Sequence, residues 1–157
     1  TFIVVIVRAS PAAAPMEPIF WLVLGLAAVP SVAVWVAVGR RLGVVRAFAV
    51  ASVVEAAGVL ASVAWPTVTG LFVAAALLGG TFMGLTALGL IAARNLGPDD
   101  PRRPMAIVTA AFGLGQIVGP LVAGYGFDIT GSFFLPSLLA TAGLLVGAWL
   151  AVLVERA

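Results

Sequence analysis

The sequence predicts an all-α integral membrane protein, with five full transmembrane helices preceded by a partial one. Three observations predict it. The chain is 63% hydrophobic and 9% charged. A soluble domain of average composition is about 25% charged, so this chain has too little charge to coat a water-facing surface. Its mean hydropathy is +1.24. The charges are also confined: residues 19–39, 66–93, 104–127 and 129–154 carry none, and 47–65 carries only Glu55. Each run reaches the ~20 residues that a helix needs to cross a ~30 Å hydrocarbon core. Inside that core every backbone N–H and C=O must find a partner within the protein. A helix satisfies this alone, whereas strands require a closed barrel, and the alternating polar–apolar pattern of barrel strands is absent.

The elements follow in order. Residues 1–7, TFIVVIV, are uncharged but too short to span. They read as the last turns of a helix, covering 1–8 here, whose beginning lies outside this chain. A loop over 9–18 holds Pro11, Pro15, Pro18 and Glu17. Spans are expected at 19–38, 44–64, 67–93, 105–125 and 133–154. They are joined by GRRLGVVR (39–46), Trp65-Pro66, RNLGPDDPRRP (94–104) and FDITGS (127–132). Pro30 and Pro120 fall inside spans, where each removes one i→i−4 bond and kinks the helix.

All eight cationic residues are Arg. In this topology Arg40, Arg41, Arg46, Arg94, Arg102, Arg103 and Arg156 share one side, and Arg8 lies on the other. The positive-inside rule then places the seven, and the C-terminus, in the cytoplasm of a multi-pass inner (plasma) membrane protein. Trp21, Trp65, Phe133 and Phe134 fall at the outer ends of spans, and Trp35 and Trp149 near the inner ends, at the depth that aromatic belts occupy.

Composition also removes functions. The pI near 10.5 does not point to nucleic acid, because the arginines mark helix ends rather than one face. With no Cys and no His, thiolate or imidazole metal ligands and His-dependent nucleophilic catalysis are excluded. With no Lys there is no phosphate-binding loop of the GxxxxGK type. Neither an enzyme, a metal nor a cofactor is expected.

Glu55 is the candidate that stands out. A carboxylate at mid-span costs about 2.5–3.5 kcal/mol on insertion scales, so intramembrane acids face a bundle interior or a water-filled cavity. Ser52 and Ser62, at −3 and +7, share its helical face. Glu55 can carry a proton, pair with a cationic substrate, or serve as a neutral hydrogen-bonded structural residue. Gln116 lies mid-span with Thr109 on its face, either to contact a substrate or to hold a neighbouring helix. Thr81, Thr86, Ser137 and Thr141 are weaker candidates, because their hydroxyls can return to the i−4 carbonyl. Arg8 can attract an anionic substrate or snorkel to the interface. Gly80 and Gly84 form a GxxxG pair, and Ala111, Gly115 and Gly119 share one face. Both are expected as packing seams.

Several patterns resemble the major facilitator superfamily. GQIVGPLVAG (115–124) is similar to its glycine–proline antiporter motif, GxxxGPxxGG. Gly115, Gly119, Pro120 and Gly124 match, and Ala123 departs at the penultimate position. GYGFDITG (124–131), with Asp128, resembles the GxxxDxxG pattern that ends such helices. GRRLGVVR, with Gly39, Arg40, Arg41 and Gly43, resembles the short basic loop between helices 8 and 9, although Arg40 stands where the motif has Asp. In order and spacing the chain is most similar to the YbfB/YjiJ-type branch. The resemblance implies helices 7–12, the C-terminal six-helix half of a bundle, with the N-terminal half absent from this chain. It also implies a proton-coupled secondary transporter working by alternating access on a small solute held between the halves. The rival from another class is a non-transporting membrane scaffold or assembly subunit.

Overall fold

The computed structural model describes residues 3–97 and 99–156. Thr1, Phe2, Pro98 and Ala157 lie outside the described residues, and with them part of the expected first span and of the 94–104 connection. The described residues form α1 (Ile3–Ala9), a 3-10 turn (Ala14–Met16), α2 (Glu17–Leu42), α3 (Val44–Ala64), α4 (Val68–Leu96), α5 (Arg102–Thr130) and α6 (Phe134–Arg156), with no strand among them. The last five helices are long and apolar enough to cross a membrane.

The helices outrun their apolar stretches, and the connections shrink accordingly. Helix α2 begins at Glu17 rather than at residue 19, because Pro18 sits in the first turn, where its missing N–H costs nothing. It continues through Arg40 and Arg41, whose charges suit the negative end of the helix dipole. The expected 39–46 loop is therefore one residue, Gly43, at φ 89° and ψ 146°. That backbone region belongs essentially to glycine. Helix α5 likewise runs on to Thr130 and stops at Gly131, left-handed at φ 66°. Asp128 lies in the last helical turn instead of a loop.

Helix α4 is the hub, packed against α2 and α3, and α3 also packs on α6. Near one end, Ile3, Val4 and Val7 of α1 bury against Phe20, Leu71, Ala74 and Ala75, and Phe20 stacks on Phe72 at 4.1 Å. Near the other, Trp35, Ala47, Ala51 and Leu88 form a second cluster. Helix α5 stands apart. Among the described residues it meets only α4 and α6, and Ala123 is its buried residue. Large apolar side chains such as Leu26, Val29, Ile117, Leu121, Val146 and Trp149 are exposed. Water does not tolerate such a surface, but lipid tails match it.

Arg46 on α3 pairs with Glu155 on α6 at 3.2 Å. The start of α3 and the finish of α6 thus share one end of the bundle with the α4–α5 connection; this is the arginine end. Arg8, the α3–α4 turn at Trp65 and the α5–α6 turn occupy the opposite, Trp65 end.

Candidate functional site

Glu55 sits near the midpoint of α3, the helix enclosed by α2, α4 and α6. One carboxyl oxygen, Oε2, is fully buried and accepts no hydrogen bond. Thr81 of α4 stands beside the carboxyl, but its hydroxyl donates to the Leu77 carbonyl at 2.7 Å. A buried charge without a partner is costly, so this carboxyl needs a proton or a ligand.

Glu55 opens on a cavity of about 850 Å³ lined from all six helices, within the range of about 300–1,000 Å³ typical of small-molecule sites. The walls are apolar, with Val59, Leu78, Phe82 and Met83 prominent, and the polar exceptions are Glu55, Ser62, Gln116 and Ser137. The cavity reaches from mid-bundle toward the Trp65 end, because its residues on α3 run from Glu55 to Ser62 and those on α5 from Gly115 to Ala123. Three of the sequence candidates are thereby brought together from two helices, Glu55 and Ser62 of α3 with Gln116 of α5.

Pro120 and Gln116 form a unit on the α5 wall, and both line the cavity. Proline has no N–H, so the Gln116 carbonyl, four residues earlier, loses its intrahelical donor. The α5 hydrogen-bond ladder is therefore interrupted beside the cavity that Gln116 lines. The glycines beside it touch no neighbouring helix among the described residues. A Cβ added at Gly115, Gly119 or Gly124 would meet nothing within 4 Å, and Gly115 and Gly119 leave space open at the cavity wall.

A smaller cavity of about 220 Å³ adjoins Glu55 toward the arginine end, with Ser52, Thr86, Phe48, Phe82 and Phe112 in its wall. Glu55 and Phe82 line both spaces. Phe82 and Phe112 lie with ring centroids 6.2 Å apart.

Ser52 and Ser62 are buried, but their hydroxyls donate to the carbonyls of Phe48 at 2.9 Å and Val59 at 2.6 Å. Thr109 is exposed, bonds to the Met105 carbonyl at 2.9 Å, and lines neither cavity. Arg8 is held by both carboxyl oxygens of Glu17, at 2.8 and 2.6 Å, away from the cavity.

Of the expected Gly80/Gly84 pair, Gly84 lies in the α4 seam and Gly79 takes the place of Gly80. A Cβ at Gly79 would collide with the Leu24 carbonyl and one at Gly84 with the Trp35 ring, whereas one at Gly80 would meet open space. Gly80 contributes its backbone instead. Its carbonyl accepts the Trp35 indole N–H at 2.8 Å, and the Gly84 N–H donates to Ser31 Oγ at 3.0 Å. Trp35 is thus a buried interhelical donor, not a member of an interfacial belt. Ser31 and Trp35 are the residues that sequence reasoning missed; their signal is a polar i, i+4 pair on α2 facing an i, i+4 glycine pair on α4.

At the arginine end, Gly39 packs against Leu88, and the Gly43 elbow lies against Glu155. The basic motif therefore forms a tight helix–helix corner clasped by α6, with Arg40 and Arg41 exposed beside it.

A family model described as "Uncharacterised MFS-type transporter YbfB" matches residues 1–152. The chain belongs to this YbfB-type family of major facilitator superfamily transporters. No curated protein and no solved structure matches it. Membership makes the molecule a multi-pass membrane transporter rather than a soluble domain, in keeping with its five apolar spans. In this YbfB-type chain the cavity joins the Glu55 carboxyl of α3 to the Gln116–Pro120 stretch of α5.

Proposed function

We propose that this chain is the C-terminal half of a proton-coupled secondary transporter, with Glu55 as the coupling carboxyl. The observation that carries the reading is the buried, unpartnered Oε2 of Glu55 at the wall of an 850 Å³ cavity. An acid at that depth persists where it does work, exchanging a proton as the cavity changes sides. The six segments correspond to helices 7–12, and a small solute binds between this half and an N-terminal six-helix half. Rocking of the two halves exposes the site alternately. Positive charge at the arginine end supports placing that end, with the C-terminus, in the cytoplasm of the plasma membrane.

The test is uptake by the full-length protein in liposomes loaded with a pH-sensitive dye, challenged with a panel of amines, carboxylates and sugars. One solute class should evoke proton movement, and Glu55→Gln should abolish it. Proton movement undiminished in Glu55→Gln removes Glu55 from the role, and no flux for any solute supports the scaffold reading.

A further inference from the structure

We propose that the ligand of this cavity is a bulky, apolar organic monocation, whose charge rests on the Glu55 carboxylate against the phenyl faces beside it. The inference rests on the transporter reading for its biological use and on the cavity geometry for its chemistry. Four observations converge.

Among the described residues lining the two cavities, on every helix that contributes to them, Glu55 is the one ionisable side chain. On this half of the site a ligand meets one negative charge and no positive one. An anion would be repelled, and a dication would be left half neutralised in a low-dielectric site.

The smaller cavity is aromatic. Phe48, Phe82 and Phe112 come from three different helices and share its wall with Glu55. The negative face of a phenyl ring attracts a desolvated cation, and rings grouped around one space are how proteins hold quaternary ammonium groups.

Uncharged polar groups near the carboxyl are already engaged. The hydroxyls of Ser52 and Thr86 donate to the carbonyls of Phe48 and Phe82. With their protons so engaged, these hydroxyls have none to give an anionic ligand, and their oxygens still face a cation favourably. An organic cation, with its charge spread under apolar groups, loses little hydration on entry.

The larger cavity supplies room and an apolar lining for the rest of such a molecule. Gln116 and Ser137 on its wall can orient a neutral polar substituent.

Proton and cation then occupy the same carboxylate in turn. The two binding events are mutually exclusive, and coupling follows without a second charged residue.

The test uses the purified full-length protein in detergent and two probes of nearly the same shape and opposite charge, tetraphenylphosphonium and tetraphenylborate. Equilibrium dialysis should show saturable binding of the phosphonium, weakening as pH falls, with no competition from the borate. Glu55→Gln should lower phosphonium affinity at least tenfold, and Phe82→Leu about fivefold with the pH dependence retained. Because the wild-type comparison of the two probes needs no variant, a misfolded mutant leaves the test intact. Equal binding of both probes, or phosphonium binding that is unchanged in Glu55→Gln or insensitive to pH, would overturn the proposal. Binding is read here without flux. A cation-binding protein that moves nothing in liposomes defeats the transporter reading alone, and a transporter that ignores the phosphonium defeats the ligand class alone.

Discussion

The indole N–H of Trp35 donates to the carbonyl oxygen of Gly80 at 2.8 Å, joining α2 to α4 one turn from the point where Ser31 accepts the Gly84 N–H at 3.0 Å. Two side chains of one helix thus hold both ends of a single turn of the other. That turn carries Phe82 and Met83, which wall the cavity. Replacing Trp35 with Phe removes the hydrogen bond and keeps much of the ring. Interhelical hydrogen bonds in membranes contribute about 0.6–1.7 kcal/mol, so thermal unfolding in detergent should show a modest loss for Trp35→Phe and a similar one for Ser31→Ala.

The two neighbouring glycines should respond in opposite ways. Gly84→Ala drives a methyl into the Trp35 ring and should destabilise by about 1–3 kcal/mol, the usual cost of overpacking. Gly80→Ala meets open space and should be neutral or stabilising, by up to about 1 kcal/mol from helix propensity. Unfolding midpoints of the two variants, measured side by side, check the register of the seam.

Gly43 makes the α2–α3 corner with φ at 89°, a conformation that costs an L-residue about 1–3 kcal/mol. Gly43→Ala should lower stability by that order. Glu155→Gln, which breaks a largely exposed pair with Arg46, should cost less than about 1 kcal/mol and lose its effect at high salt. Unfolding at low and high ionic strength separates the two contributions.

Pro120→Ala returns an N–H to the Gln116 carbonyl. The helix should gain stability, because proline inside a helix costs about 3 kcal/mol, while solute uptake should fall as the gap in the α5 hydrogen-bond ladder beside the cavity closes. A raised unfolding midpoint with reduced uptake is the expected pair of results. A raised midpoint with unchanged uptake would mean that the break serves no transport step.

Much of this was legible in the chain. Charge-free runs set the number of spans, and the isolation of Glu55 within its run marked the residue that the fold places at the cavity. Helix ends were less legible, because hydropathy marks where lipid begins and not where backbone hydrogen bonds stop; α2 passes through Arg40 and Arg41, and α5 through Asp128. The fate of the glycines was hidden for another reason. Gly80 and Gly119 carry the spacing of a seam, but which glycine touches a neighbour depends on helix rotation, which the α2 side chains Ser31 and Trp35 help to fix. The aromatic chamber was likewise invisible, since Phe48, Phe82 and Phe112 are far apart in sequence and meet only through packing.

The most direct measurement is gradient-driven uptake into proteoliposomes of the full-length transporter, comparing wild type with Glu55→Gln and Glu55→Asp for the solute class that the flux screen selects. If Glu55 couples the proton, the Gln variant loses accumulation driven by a pH gradient and the Asp variant keeps part of it. Accumulation in the Gln variant equal to wild type at every pH would contradict the central role given to this carboxyl.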